Sequence, residues 1–204
     1  EKIDPVRFIG NYSSGKMGFA LAEACAEAGA EVMLVAGPVS LKTNHSSINR
    51  IDVESAEEMY RAVLSEYDRS YIAIMCAAVA DYAPETVSDV KLKRTAEDRI
   101  LRLRPNPDIA AELGRRKRPG QCLVGFALET NDEEMNARLK MEKKNLDFIV
   151  LNSLRDAGAG FQCDTNKVTV IGKQGEPVEI PCKPKIAVAA DIVDIIGRYV
   201  SEDR

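Results

Sequence analysis

The chain has no tryptophan and a single histidine, and aromatic residues fill only 5% of its 204 positions. His45 stands in a polar stretch, so neither a histidine-based zinc site nor a Cys-His nucleophile pair finds support. Metal chemistry then falls to carboxylates and phosphate with Mg²⁺. The five cysteines, Cys25, Cys76, Cys122, Cys163 and Cys182, are odd in number and widely spaced. They imply inert thiols in a reducing cytoplasm rather than a disulfide frame. No apolar run approaches the roughly 18 residues of a membrane span. A signal-peptide pattern is lacking too. The net charge of −4 argues against general nucleic-acid binding.

What is present, 45% apolar and 29% charged residues, is the composition of a soluble globular chain with one sizeable core. Its most informative stretch is Gly10-Asn-Tyr-Ser-Ser-Gly-Lys-Met-Gly18, a small polar turn that feeds an Ala-rich helical pattern. Such a turn offers unpaired backbone N–H groups and the positive end of a helix dipole to an anion. Two familiar motifs overlap in it, and both fail. Gly10 to Lys16 fits a phosphate-binding loop, but Met17 replaces the Ser or Thr that would hold Mg²⁺, and no apolar strand precedes it. Tyr12 and Lys16 have the Tyr-x-x-x-Lys spacing of a short-chain dehydrogenase, yet no Gly-rich dinucleotide fingerprint lies upstream.

Periodicity predicts a helix over 16–28 with Gly29 as its cap, a buried strand over 31–36, a short strand over 51–53, and a helix from the capping box at Ser55 to Tyr67. The strand over 71–80 ends in small residues and Asp81, as a strand does where it floors a ligand site in an open sheet. Residues 83–95 carry Lys91 and Lys93 without periodicity, and a mobile lid is expected there. A strand over 99–104, a helix entered through Pro107, strands over 122–126 and 146–152, and an intervening helix to Lys144 follow. Lys140 and Lys144 share a face of that helix. After a Gly- and Asp-rich loop over 153–165, residues 167–180 predict a β-hairpin, and 185–200 an apolar-faced helix. Together these give one α/β domain over 1–204, a doubly wound, Rossmann-like, mostly parallel sheet with an antiparallel hairpin appendix. No strand precedes the first helix, so the domain is expected to lack its N-terminal first strand.

Asp4-Pro-Val-Arg-Phe-Ile9, Asn11-x-Ser-Ser-Gly-Lys-Met-Gly18, Cys76-Ala-Ala-Val-Ala-Asp-Tyr82, Lys91-Leu-Lys-Arg94, Asn106-Pro-Asp-Ile109, Gly125-Phe126 with Glu129-Thr130, and Lys144-Asn-Leu-Asp147 recur in order along nearly the whole chain. This combination closely resembles bacterial phosphopantothenate-cysteine ligases, often the C-terminal half of a fusion with a flavin-dependent decarboxylase. The resemblance implies a cytoplasmic enzyme of coenzyme A biosynthesis. It would join 4′-phosphopantothenate to L-cysteine with CTP and Mg²⁺, through an acyl-cytidylate, releasing CMP and pyrophosphate.

By the same resemblance, Asn11 holds the activated acyl intermediate through its amide, and Ser13, Ser14 and Gly15 supply further donors to ligand oxygens. Lys91 is the lid lysine, although the motif's last lysine is replaced by Arg94, which keeps charge but not point-charge geometry. Arg7 lies near the acyl phosphate. Ala77 and Ala78 line the cytosine pocket, and Asp81, Pro107, Asp108, Ile109, Ala110, Phe126, Lys140 and Lys144 complete the CTP site. Mg²⁺ is expected mainly on the triphosphate oxygens. A homodimer is implied as well, with the hairpin over 167–180 as the candidate dimer element. Two rival functions stay open on the residues alone: a nicotinamide-dependent reductase, and a nucleotide-binding module without catalysis.

Overall fold

Alternating strand and helix build a sheet with helices on both faces in the computed structural model, which describes residues 1–129, 132–153 and 163–202. Residues 1–15 form an irregular N-terminal segment closed by a Lys2–Phe8 bridge. Helix α1 (Lys16–Glu27), strand β1 (Val32–Ala36), strand β2 (Ile48–Asp52) and helix α2 (Ala56–Tyr67) follow. Ser55 caps α2 as the capping box predicts, accepting from the Glu58 N–H at 3.2 Å. Then come β3 (Ile72–Met75), β4 (Tyr82–Pro84), β5 (Leu103–Pro105), α3 (Ile109–Arg116), β6 (Cys122–Glu129), α4 (Glu133–Lys143), β7 (Phe148–Ser153), β8 (Thr165–Gly172), β9 (Val178–Pro184) and α5 (Lys185–Glu202).

The main sheet has the order β3-β6-β7-β8-β9; β3, β6 and β7 are parallel, and β8 and β9 run antiparallel. Strands β1 and β2 pair parallel in a sheet of their own. Side chains of the central strands alternate between two cores, as the two-residue period of a strand requires. Val124, Val150 and Val170 join Met17, Leu21 and Ile192 beneath α1 and α5. Leu123, Ile149 and Ile171 join Leu113 and Met141 beneath α3 and α4. Burying each such aliphatic side chain contributes about 1.5–3 kcal/mol.

Three boundaries differ from the periodicity, each for a physical reason. The strand over 71–80 stops at Met75, and farther on the chain is held by side-chain amides instead of a ladder: Ala78 and Val79 accept from Asn11, and Ala80 accepts from Asn106. The strand over 99–104 shrinks to β5, which pairs only with three-residue β4, and Ile100 is left exposed. The hairpin is antiparallel as expected, but β8 pairs with β7 and buries Val168, Val170 and Ile171, so it extends the main core as well. Thr130 and most of the loop over 153–165 lie outside the described residues.

The close approach of α3 to the end of α4 depends on Gly114. A Cβ there would lie 1.9 Å from the Lys144 carbonyl oxygen, whereas Asn145 now donates to the Gly114 carbonyl at 3.0 Å. Gly114→Ala is therefore expected to destabilise the fold by at least the roughly 1–3 kcal/mol of an overpacked contact. It should also push Lys144 off Asp108. A denaturation midpoint within error of the parent would contradict this packing.

Candidate active site

The Gly-rich turn reaches α1 through Gly15, whose φ of 77° is left-handed. A side chain there would also press Val39, 3.1 Å from the Cβ position. Helix α1 opens without a side-chain cap and without an acidic residue in its first turn. Its positive end therefore keeps N–H donors for an anion. Lys16, the first helical residue, pairs with Asp164 at 2.6 Å.

Asn11 joins this turn to the floor of the crevice. Its amide nitrogen donates to the carbonyls of Ala78 at 3.0 Å and Val79 at 3.2 Å. The sequence assigns that amide to a ligand oxygen; here it links two walls. Arg7, Asn11, Ser13, Ser14, Gly15, Ala77, Ala78 and Phe126 line one cavity of about 2560 Å³. Cys76 also lines it, and burial pushes its thiol up to about 12, so the thiol stays protonated and a poor nucleophile at neutral pH.

The other expected residues gather beside this cavity rather than on its wall. Asp108 caps α3, accepting from the Ala111 N–H at 3.0 Å, and pairs with Lys144 at 2.9 Å. Burial pushes its carboxyl upward, but Lys144 and the Ala111 N–H outweigh that and hold it below the ordinary range. Lys140 pairs with Glu129 at 2.7 Å. Both lysines thus meet carboxylates, which a phosphate group would have to displace or share. Pro107 precedes the cap, Ile109 is buried, and Ala110 is half-buried in the first turn of α3. Asp81 is exposed, and its carbonyl accepts the Asn106 N–H at 2.8 Å, which ties the cavity floor to the α3 entrance.

Lys91 is exposed on the segment between β4 and β5, which carries no strand from Glu85 to Arg102. Its neighbour Leu92 is pinned. Asp4, only 2% exposed, accepts from Val6 N–H at 2.8 Å, Arg7 N–H at 2.9 Å, Arg7 Nε at 3.0 Å and Leu92 N–H at 3.1 Å. Arg7 Nη2 also donates to Asp4 and, at 2.6 Å, to the Leu92 carbonyl. The Arg7 guanidinium and the surrounding N–H groups hold the Asp4 carboxyl well below the usual carboxylate range. The i, i+3 pairing with Arg7 was visible, but the partner 88 residues away was not. Asn106 bonds the Ala80 and Asp81 carbonyls, a role that no local spacing reveals.

Among the described residues no group of three or more His, Cys, Asp and Glu side chains is placed to hold a metal ion. No described helix is long and apolar enough to cross a membrane.

The family described as DNA/pantothenate metabolism flavoprotein C-terminal domain matches residues 1–199. The coenzyme A biosynthesis bifunctional protein CoaBC of Bacillus subtilis (strain 168) is 50% identical over 197 residues, 97% of this chain and 48% of that protein. A protein named cysteine/cysteine sulfinic acid decarboxylase, from an unknown prokaryotic organism, is 55% identical over 193 residues, 95% of this chain and 54% of that protein. The chain thus spans about half the length of these curated relatives. The crystal structure of a CoaBC C-terminal domain superposes with a TM-score of 0.83 at 40% identity, covering 99% of this chain and 91% of that one.

Proposed function

The chain belongs to the family of DNA/pantothenate metabolism flavoprotein C-terminal domains, and from that membership we propose that it is a phosphopantothenate-cysteine ligase acting in coenzyme A biosynthesis. The observation that carries the reading is the junction at Asn11, where an anion-binding turn meets the small-residue floor of Ala77 and Ala78 across one cavity. A carboxylate is a poor acyl donor, so such a ligase must first install a leaving group. The 4′-phosphopantothenate carboxylate attacks the α-phosphorus of CTP, forming a P–O bond as pyrophosphate departs. The deprotonated amine of L-cysteine then attacks the acyl carbon, and CMP leaves as the amide forms.

The residues suit two successive oxyanions. The α1 amino end and the Ser13 and Ser14 hydroxyls can donate to them. Ala77 and Ala78 leave room for a flat base. Lys140 and Lys144, beside Glu129 and Asp108, offer cations that pyrophosphate oxygens can recruit. Lys91 and Arg7, coupled through Leu92, bring positive charge with the lid. Magnesium, carried by the triphosphate, would neutralise part of the departing charge. A homodimer, and fusion to a flavin-dependent phosphopantothenoylcysteine decarboxylase, belong to the same proposal.

Incubation with CTP, Mg²⁺ and 4′-phosphopantothenate should release pyrophosphate, and adding cysteine should give CMP and the amide. Pyrophosphate that never appears would overturn the reading. Tight NAD(P)H binding would favour a reductase instead. Carbon dioxide released from cysteine would favour the activity named for the decarboxylase relative.

A further inference from the structure

The cavity floor is suspended between two asparagine amides. Asn11 holds the Ala78 and Val79 carbonyls from the side of the Gly-rich turn, and Asn106 holds the next one, its Nδ2 donating to the Ala80 carbonyl at 2.8 Å. Ala77, Ala78, Val79 and Ala80 line the cavity, whereas Asn106 reaches it only through Ala80. The two amides differ in what stands behind them. Asn11 leads to α1. Asn106 leads to α3, because Asp108, two residues on, is the cap of that helix and the partner of Lys144.

The chain around Asn106 is stiff. Pro105 and Pro107 flank it, which fixes φ on both sides and keeps Asn106 itself out of the α region. Pro105 lies opposite Tyr82 at the end of the β4–β5 ribbon, and the Asn106 N–H then donates to the Asp81 carbonyl at 2.8 Å. Backbone and side chain of one residue therefore grip two successive floor carbonyls, which sets the orientation of the floor as well as its distance from α3. The side-chain oxygen takes no part. Asn106 Oδ1 is buried without a hydrogen-bond partner among the described residues, which costs stability. Asparagine is a poor choice there for stability alone; what it supplies is the position of Ala80.

We propose that Asn106 is a positioning residue for the nucleotide, a role that rests on the reading of the chain as a CTP-dependent ligase. It sets the spacing between the floor, Ala77 to Asp81, and the α3 entrance, Pro107 to Ala110, so that both walls meet a pyrimidine nucleotide in register. Asn106 touches no reacting atom, so it acts on nucleotide binding and not on the chemical steps.

Steady-state kinetics, equilibrium CTP binding and thermal denaturation of the parent chain, Asn106→Ala and Asn106→Asp test this. Alanine removes the donor and the unpartnered oxygen together, so Tm should stay within about 4 °C of the parent's. Aspartate keeps the shape but sets a carboxylate oxygen against the Ala80 carbonyl. KM and Kd for CTP should rise by about tenfold in Asn106→Ala, the cost of one lost positioning hydrogen bond, and by more in Asn106→Asp. Over the same series kcat at saturating CTP and KM for 4′-phosphopantothenate should keep close to the parent values. Parent-like CTP affinity in both variants would overturn the proposal. So would a loss of affinity that only tracks a lowered Tm, or a fall in kcat as large as the rise in KM. A parent that neither binds CTP nor releases pyrophosphate is a different result: it removes the ligase reading itself, and the role of Asn106 with it.

Discussion

Asn11→Asp is expected to lower turnover by on the order of 10²-fold, the cost of misplacing a positioned group by about 1 Å, and Asn11→Ala by less. The order follows from what the amide touches. Its nitrogen donates to the Ala78 and Val79 carbonyls. Alanine leaves those carbonyls to water. Aspartate sets a carboxylate oxygen against two carbonyl oxygens, and the loop that floors the cavity must move away. CTP affinity separates this linking role from direct contact with the acyl intermediate. If the amide holds the loop, affinity falls together with turnover, and most in Asn11→Asp. If it moves to the intermediate, affinity stays and only turnover falls. Parent-like turnover in either variant would reduce the junction to packing.

That the wall-joining role needed coordinates is instructive. Asn11, Ala77 and Ala78 are marked by the family resemblance, yet a separation of 67 positions hides the Asn11–Ala78 contact from any local pattern. The strongly periodic elements were legible. The α1 pattern, the Ser55 cap and the β6 and β7 cores follow from spacing alone, because burial on a helix stripe or a strand face is written at i+3, i+4 or i+2. The weak elements were not. β4 and β5 are three residues each, and their pairing is set by tertiary contact rather than propensity. The path beyond β3 was hidden for the same reason, since side-chain amides from distant segments hold the Ala78 and Ala80 carbonyls.

The lysine pairs of α4 illustrate the other limit. Spacing put Lys140 and Lys144 on one face, as on any solvated helix. Only the fold brings Glu129 and Asp108 against them, turning two surface cations into a poised cluster beside the cavity. The carboxylates hold the lysines in place.

Asp4→Asn should free the lid at nearly constant shape. The carboxylate accepts from two backbone N–H groups on one oxygen, and from the Arg7 side chain and the Leu92 N–H on the other. An asparagine amide, in either orientation, turns its NH₂ toward donors, so one side of the clasp becomes donor against donor. Arg7 loses its anion, and with the amide nitrogen on the Oδ2 side Leu92 also loses the N–H bond that ties its segment to residues 4–7. Asp4 touches no reacting atom in this scheme; it is a positioning residue. Misplacing a positioned group by about 1 Å costs on the order of 10²-fold in rate, and a loss between roughly tenfold and that figure is expected. Exchange at the Leu92 amide should rise in parallel, a change that simple destabilisation of the core would not confine to the lid. The pH dependence has a definite sign. The folded carboxyl titrates below its unfolded value, so the clasp is complete at neutral pH and is lost only as pH falls through the lowered value, well under the ordinary pKa of about 4. The parent lid should stay protected down to that range, whereas Asp4→Asn should show open-lid exchange at every pH. A variant whose Leu92 amide remains as protected as the parent's would remove Asp4 from the lid.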